Sequence, residues 1–433
     1  MRATKVMSAA LATVALVVVS VAMSAGSADA AANTESLIVV LRDGENATAT
    51  ASDHAARYGA DVSHIYTAAL TGYAARVPAA SRNGIARDAR VAFINDDRPV
   101  YATEQTLPTG VDRIDADLSS TKAGDGTGSV SGPAVAIIDT GIDSSHPELN
   151  VKGGYNCTNR NTSNWKDGNG HGTHVAGTVA AKDNTAGVVG VAPGAPLWAV
   201  KVLNNAGSGS WAGVICGIDW VTKNVSKGIK VANMSLGGSG SDDGQSCAAT
   251  TDSMKKALCN SRDAGVTYAV AAGNSSADLK DFVPAAYRET ISGSTVPIVL
   301  TVTAMADFNG QPGGGAAATC RSDVDDTAAD FSNFATLDAD KAHTIAAPGV
   351  CILSTWTSKG YNEISGTSMA SPHVAGAAAL CIGSGTCTSS DPKYVIGKLM
   401  ADAAAQPASY GFAEDAHSTS TKYYGYLLYA GGY

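Results

Sequence analysis

The sequence predicts an α/β protein: a parallel sheet with helices on both faces, preceded by a small α+β domain. Three observations predict it. From Pro133 onward, short apolar runs alternate with Gly-bounded helical stretches. The runs Val135–Ile138, Leu197–Leu203, Val231–Leu236, Val266–Ala271 and Val299–Thr303 are apolar at most positions, as strands buried on both faces must be. Forty-seven Gly and only 16% charged residues suit a loop-rich α/β chain rather than a helical bundle or a disordered one.

The elements follow in order. Arg2 and Lys5 precede an apolar run from Val6 to Met23, and Ala28-Asp29-Ala30 offers small residues for cleavage, so residues 1–30 read as an export signal. The rival reading is an uncleaved membrane anchor. It is disfavoured because Ser8 and Ser20 interrupt the run and Ser24 follows it. Over 31–101 the pattern is strand and turn at Glu35–Gly44, helix at Ala49–Tyr58, strand at Tyr73–Val77, helix near Ser81–Ala89 and strand at Val91–Ile94: an α+β unit. Residues 102–433 then form one large domain. Ser239–Ala249 and Gln311–Ala329 look like insertions within it.

The net charge of −9 disfavours nucleic acid as a partner and suits a soluble extracellular protein. Eight cysteines fit export, because disulfides persist outside the cell. Connectivity stays open in the sequence. Short spacings favour Cys381–Cys387 and Cys247–Cys259, with Cys320–Cys351 and Cys157–Cys216 next by elimination. No C-x-x-C pair occurs, which argues against the common zinc spacings.

Three motifs carry chemistry. Asp139 ends Val135-Ala136-Ile137-Ile138 and precedes Gly141, where the backbone can turn; His171 opens His171-Gly172-Thr173-His174; Ser368 lies in Gly366-Thr367-Ser368-Met369-Ala370-Ser371-Pro372. A serine hydroxyl is a poor nucleophile unless a base removes its proton and a third group holds that base. Ser368 would attack a carbonyl, His171 would take the proton, and Asp139 would fix the imidazole. His171 and Ser368 each begin a small-residue helix, Gly172–Ala181 and Met369–Leu380, with Pro372 expected in the first turn. Asn274, after the apolar Val270-Ala271-Ala272-Gly273, presents an amide at a strand end and would join the Ser368 N–H in binding an oxyanion. Two rivals are weaker. His171 and His174 suggest a metal pair, but the acid and third ligand of a zinc hydrolase helix are absent. Asn274-Ser275-Ser276 also matches a glycan acceptor.

With these motifs in the order Asp, His, Ser, the chain resembles the subtilisin-like serine proteases (subtilases), in their secreted, proteinase K-like branch. The likeness runs from about Leu107 to the C-terminus. It implies a secreted endopeptidase that hydrolyses protein or peptide substrates through an acyl-enzyme, with no cofactor for catalysis, as a monomer free of the membrane once the signal is removed. It makes His171 the base and leaves His174 and His373 as packing residues. It makes residues 31–101 an inhibitory propeptide, the chain's own intramolecular partner, released between Tyr101 and Ala102. It gives Ser235, Leu236, Gly237 and Gly238 to one substrate-binding strand, and Gly207, Ser208 and Gly209 to the opposite one. Gly237, Gly238, Ala272 and Gly273 would leave an open pocket for a hydrophobic or aromatic residue, with no carboxylate to select Lys or Arg. Finally, it implies a structural calcium ion held by carbonyls around Pro284 and by Asp307. Two other classes share these residues: a catalytically silent binding protein and a ligase or transpeptidase.

Overall fold

The computed structural model describes residues 34–97, 105–130, 132–412 and 421–433; the expected export signal at 1–30 and the expected cleavage between Tyr101 and Ala102 lie outside the described residues. The chain divides into two compact units, Met1–Ala102 and Thr103–Tyr433.

In the first unit the helix Ala47–Tyr58 starts where Asn46 Oδ1 accepts from Ala49 N and ends where Gly59 turns left-handed. The unit holds one strand more than the sequence pattern suggests. Asp61–Tyr66 pairs with Gly72–Pro78, giving a four-stranded antiparallel sheet in the order Asp61–Tyr66, Gly72–Pro78, Thr34–Leu41, Val91–Asp96. That strand is mostly exposed and mixes polar and apolar residues at each parity (Asp61, Ser63 and Ile65 at one, Val62, His64 and Tyr66 at the other), so no clean apolar alternation marks it. Leu37, Val39, Tyr73, Ala75, Val77 and Ile85 form the core.

In the second unit seven parallel strands run in the order Val151–Asn156, Leu197–Lys201, Ala134–Asp139, Ile229–Met234, Thr267–Ala271, Leu300–Ala306 and Thr344–Pro348. A short strand, Thr327–Ala328, adds antiparallel to Leu300–Ala306. All six residues of Ala134–Asp139 are buried. Val135 and Ile137 pack on one face with residues of the helices His171–Ala180 and Thr367–Ser384. Ala136 and Ile138 pack on the other with Trp211–Lys223 and Ser253–Asp263. Burying one such side chain contributes about 1.5–3 kcal/mol, so a run apolar at both parities is held only by this two-sided cover. The chain enters the sheet at its middle, lays two strands on one side and then builds the other. The turn after Asp139 therefore opens at a switch point, where crevices form at strand carboxyl ends.

All four expected disulfides are present: Cys157–Cys216, Cys247–Cys259, Cys320–Cys351 and Cys381–Cys387. Among the described residues no helix is long and apolar enough to cross a membrane.

Candidate active site

Asp139 ends its strand fully buried. Its Oδ1 accepts from Thr140 N at 2.6 Å, and His171 Nδ1 lies 2.8 and 3.0 Å from its two oxygens. Two glycines permit the approach. A Cβ on Gly141, whose φ is +108°, would sit 2.3 Å from the Trp165 carbonyl oxygen; one on Gly172 would sit 2.2 Å from Gly141 O. The imidazole is one-quarter exposed. Burial alone would lower its pKa, but the Asp139 charge and hydrogen bond outweigh it and hold His171 above its ordinary value.

Three residues that the sequence did not single out hold this pair. Asp167 accepts from Asn169 N, Gly170 N, Thr173 N and Thr173 Oγ1 and so caps the His171 helix. Thr140 Oγ1 donates to Asp167 at 2.9 Å and accepts from Gly172 N, joining the Asp139 turn to that helix. Lys201, opposite Asp139 in the sheet, donates to Thr140 O from a buried position. Asp167 lies three residues before the N-cap Gly170, outside the usual capping position, so none of the three carries a simple sequence signal.

Ser368 is the second residue of the helix Thr367–Ser384, which starts two residues earlier than the pattern indicated. Pro372 is therefore its sixth residue, not one of its first turn. A contact from another strand end accommodates it. Pro372 has no N–H for the Ser368 carbonyl four residues back, and Ser235 Oγ donates to that carbonyl instead at 2.7 Å. The Ser368 hydroxyl points to Ser235 O, at 3.3 Å, and not to His171. Ser235 is 4% exposed and acts on Ser368 as much as on the crevice it borders.

Asn274 comes to the same place. Its Oδ1 accepts from Thr367 N at 2.9 Å and Thr367 Oγ1 at 2.8 Å. Those donors fix which end of the amide is oxygen and leave Nδ2 free of them. A Cβ on Gly366 would lie 3.4 Å from Asn274 Nδ2 and 3.6 Å from Ser368 N, so both donors flank one point. Asn333, buried and unmarked in the sequence, clamps the loop through Ser275 N, Ala277 N and Ala272 O.

Beside His171 a cavity of about 710 Å³ is lined by Gly207, Ser208 and Gly209 on one side and Ser235, Leu236, Gly237 and Gly238 on the other, with Leu203, Trp211 and Val214 as apolar surface. No carboxylate lines it. Ala272 and Gly273 do not line it, a correction to the expected pocket. Ala272 is fully buried, and the space beside Gly273 is taken: its Cβ would meet Asn333 Nδ2 at 2.4 Å and the Phe282 ring at 3.1 Å. The same ring lies 2.4 Å from a Cβ on Gly237, so Phe282 fills part of the opening the glycines were expected to leave.

The expected calcium ligands are not brought together. Ala285 O, next to Pro284, accepts from Thr301 Oγ1 near the start of its strand, whereas Asp307 follows the end of that strand, about 20 Å along it. Asp307 is buried beside Arg113, and burial pushes its carboxyl up to about 7. The Ala286 carbonyl instead receives Arg288 Nη1, which also pairs with buried Asp340, so the cation at this turn is the chain's own. His174 Nε2–H donates to Ile352 O and Asn362 O, and burial lowers its pKa to about 3; His373 Nδ1–H donates to Met369 O, with burial lowering its pKa to about 4. Both are structural.

The subtilase family model matches residues 130–411. Subtilisin E of Bacillus subtilis (strain 168) is 36% identical over 299 residues, 68% of this chain and 66% of that protein. Subtilisin DY of Bacillus licheniformis is 39% identical over 282 residues, 64% of this chain and 85% of that protein. A solved cold-adapted subtilisin-like serine proteinase superposes with a TM-score of 0.53 at 31% identity, covering 74% of this chain and 97% of that one. The alignment thus spans about two thirds of the length of subtilisin E and several similar relatives.

Proposed function

The chain belongs to the subtilase family, and from that premise we propose that it is a serine endopeptidase working through an acyl-enzyme. The observation that carries this reading is the buried Asp139 carboxylate spanning His171 Nδ1 at the mouth of an uncharged crevice. Asp139 keeps the proton on Nδ1 and leaves Nε2 as the base. The Ser368 hydroxyl turns from the Ser235 carbonyl to Nε2, gives up its proton and attacks the scissile carbonyl. The oxyanion takes hydrogen bonds from Asn274 Nδ2 and Ser368 N, donors already held by Thr367 and by the helix start. His171 then protonates the leaving amine, and water repeats the sequence to release the acid.

An extended substrate lies between Gly207–Gly209 and Ser235–Gly238, paired through its backbone. Leu203, Trp211, Val214 and Leu236 favour hydrophobic or aromatic side chains. The protein is made for export, with residues 1–30 as signal and the four-stranded unit within 31–101 as an intramolecular inhibitor. The test is labelling of the secreted protein by an active-site phosphonate. Label on Ser368 alone, absent after Ser368→Ala, supports the reading; no label with hydrolysis intact would remove it.

A further inference from the structure

We propose that the Cys320–Cys351 disulfide is a thiol-exchange site that sets turnover by holding the Ser368 loop and the Asn274 loop in register. The inference rests on the reading of Ser368 as nucleophile and Asn274 as oxyanion donor. Cys320 lies in the Gln311–Ala329 stretch, which looks like an insertion and has no part in the mechanism above. From there two adjacent residues reach both halves of the oxyanion site.

One arm runs to the nucleophile. Cys320 is bonded to Cys351, whose N–H donates to Ser365 Oγ at 2.9 Å. The next residue, Gly366, donates its N–H to Gly349 O at 2.8 Å. The strip 349–351 therefore holds the strip 365–366 that delivers Thr367 and Ser368. Cys351 itself has a φ of +54°, a conformation that a free non-glycine residue seldom keeps, so its place depends on what surrounds it. The other arm runs to Asn274. Arg321 pairs with Asp323 at 2.8 Å and Asp330 at 2.6 Å and stacks on Phe331. The carbonyls of Asp330 and Phe331 in turn accept from Ser276 Oγ and Ser276 N.

Cys320 is exposed and Cys351 is buried, so an incoming thiol meets the Cys320 sulfur. Its thiolate would form a mixed disulfide with Cys320 and expel the Cys351 thiolate, which takes up a proton. A dithiol closes on itself and releases Cys320 as a thiol, so the protein gains two electrons and two protons while the dithiol becomes a disulfide. A Glu363 carboxylate oxygen lies within 4.8 Å of both sulfurs and repels the anionic attacker.

The experiment is a steady-state comparison on the secreted enzyme. Cys320→Ser/Cys351→Ser should lower kcat on the order of ten- to a hundredfold with KM changed less than about twofold, because the loss is one of donor placement. Cys381→Ser/Cys387→Ser, which opens the disulfide at the far end of the same helix, should cost stability and leave kcat in place. A folded first variant with wild-type kcat, or with a loss no larger than the second variant shows, overturns the proposal. Should the first variant not fold, wild-type enzyme is treated with dithiothreitol, alkylated and mapped. Activity that falls as Cys320–Cys351 opens and returns on reoxidation supports it; activity that tracks another pair, or is kept with this pair open, overturns it. Glu363→Gln should speed the opening severalfold at unchanged kcat; an unchanged rate overturns thiolate attack at this site. Phosphonate labelling of Ser368 in the oxidised enzyme separates failure here from failure of the catalytic reading.

Discussion

The Asn274 amide oxygen accepts from both the backbone N–H and the hydroxyl of Thr367, the residue immediately before Ser368. One donor of the oxyanion site is thus oriented by the residue that precedes the other.

Asn274→Ala should lower kcat about 10²–10³-fold with little change in KM, a size carried over from the equivalent donor in subtilisin. Thr367→Val, which keeps shape and the Thr367 N–H but loses the hydroxyl, should lower kcat on the order of tenfold. Steady-state kinetics on both variants decides it. Wild-type kcat in a folded Asn274→Ala protein would show that the donor is elsewhere.

His171 must be neutral to accept the Ser368 proton. Asp139 holds its pKa above the ordinary 6.5, so activity should fade as pH drops through a midpoint above 6.5. The acidic limb of kcat/KM against pH measures this. A midpoint at or below 6.5 contradicts it.

Asp115 lies in left-handed backbone at φ +58°, and burial followed by repulsion from Asp117 raises its carboxyl to about 6. The folded state therefore holds the proton more tightly than the unfolded state, whose value is near 3.8. Stability is lost as pH rises through about 6. Asp115→Asn keeps a residue that tolerates this backbone and removes the charge. Its Tm should match wild type below pH 4 and exceed it by about 2 °C at pH 8. An equal Tm at both pH values would refute the assignment.

If the precursor processes itself, Ser368→Ala should leave it uncut, and the wild-type mature chain should begin between Val100 and Thr106, at Ala102. Tyr101 would then occupy the hydrophobic subsite as the last residue of a cleaved product. N-terminal sequencing of both proteins settles the point: a mature chain starting before Pro99, or a purified Ser368→Ala precursor cut without any helper protease, is incompatible with it.

What the sequence revealed was local. Val135–Ile138 announces a strand because both parities are apolar, and His171 and Ser368 stand out because small-residue helices follow them. The turn after Asp139 was legible in this way, and both helix starts to within one or two residues; Cys320–Cys351 and Cys157–Cys216 were reached only by elimination. Asp61–Tyr66 was not legible, because polar and apolar residues mix at each of its parities, nor was Asn333, whose neighbours carry no pattern.

The sequence by itself determined the fold class, the chemistry-bearing residues and their order, because periodicity and turn residues act within a few positions along the chain. Only the tertiary structure decided which groups meet. Thr367 turns the Asn274 amide, Ser235 replaces the N–H that Pro372 lacks, Phe282 fills space that Gly237 and Gly273 leave, and Asp307 ends a strand length away from Pro284. Each is set between segments separated in sequence, by how the sheet is wound, by packing and, for Thr367 and Ser235, by the need to pair buried polar groups.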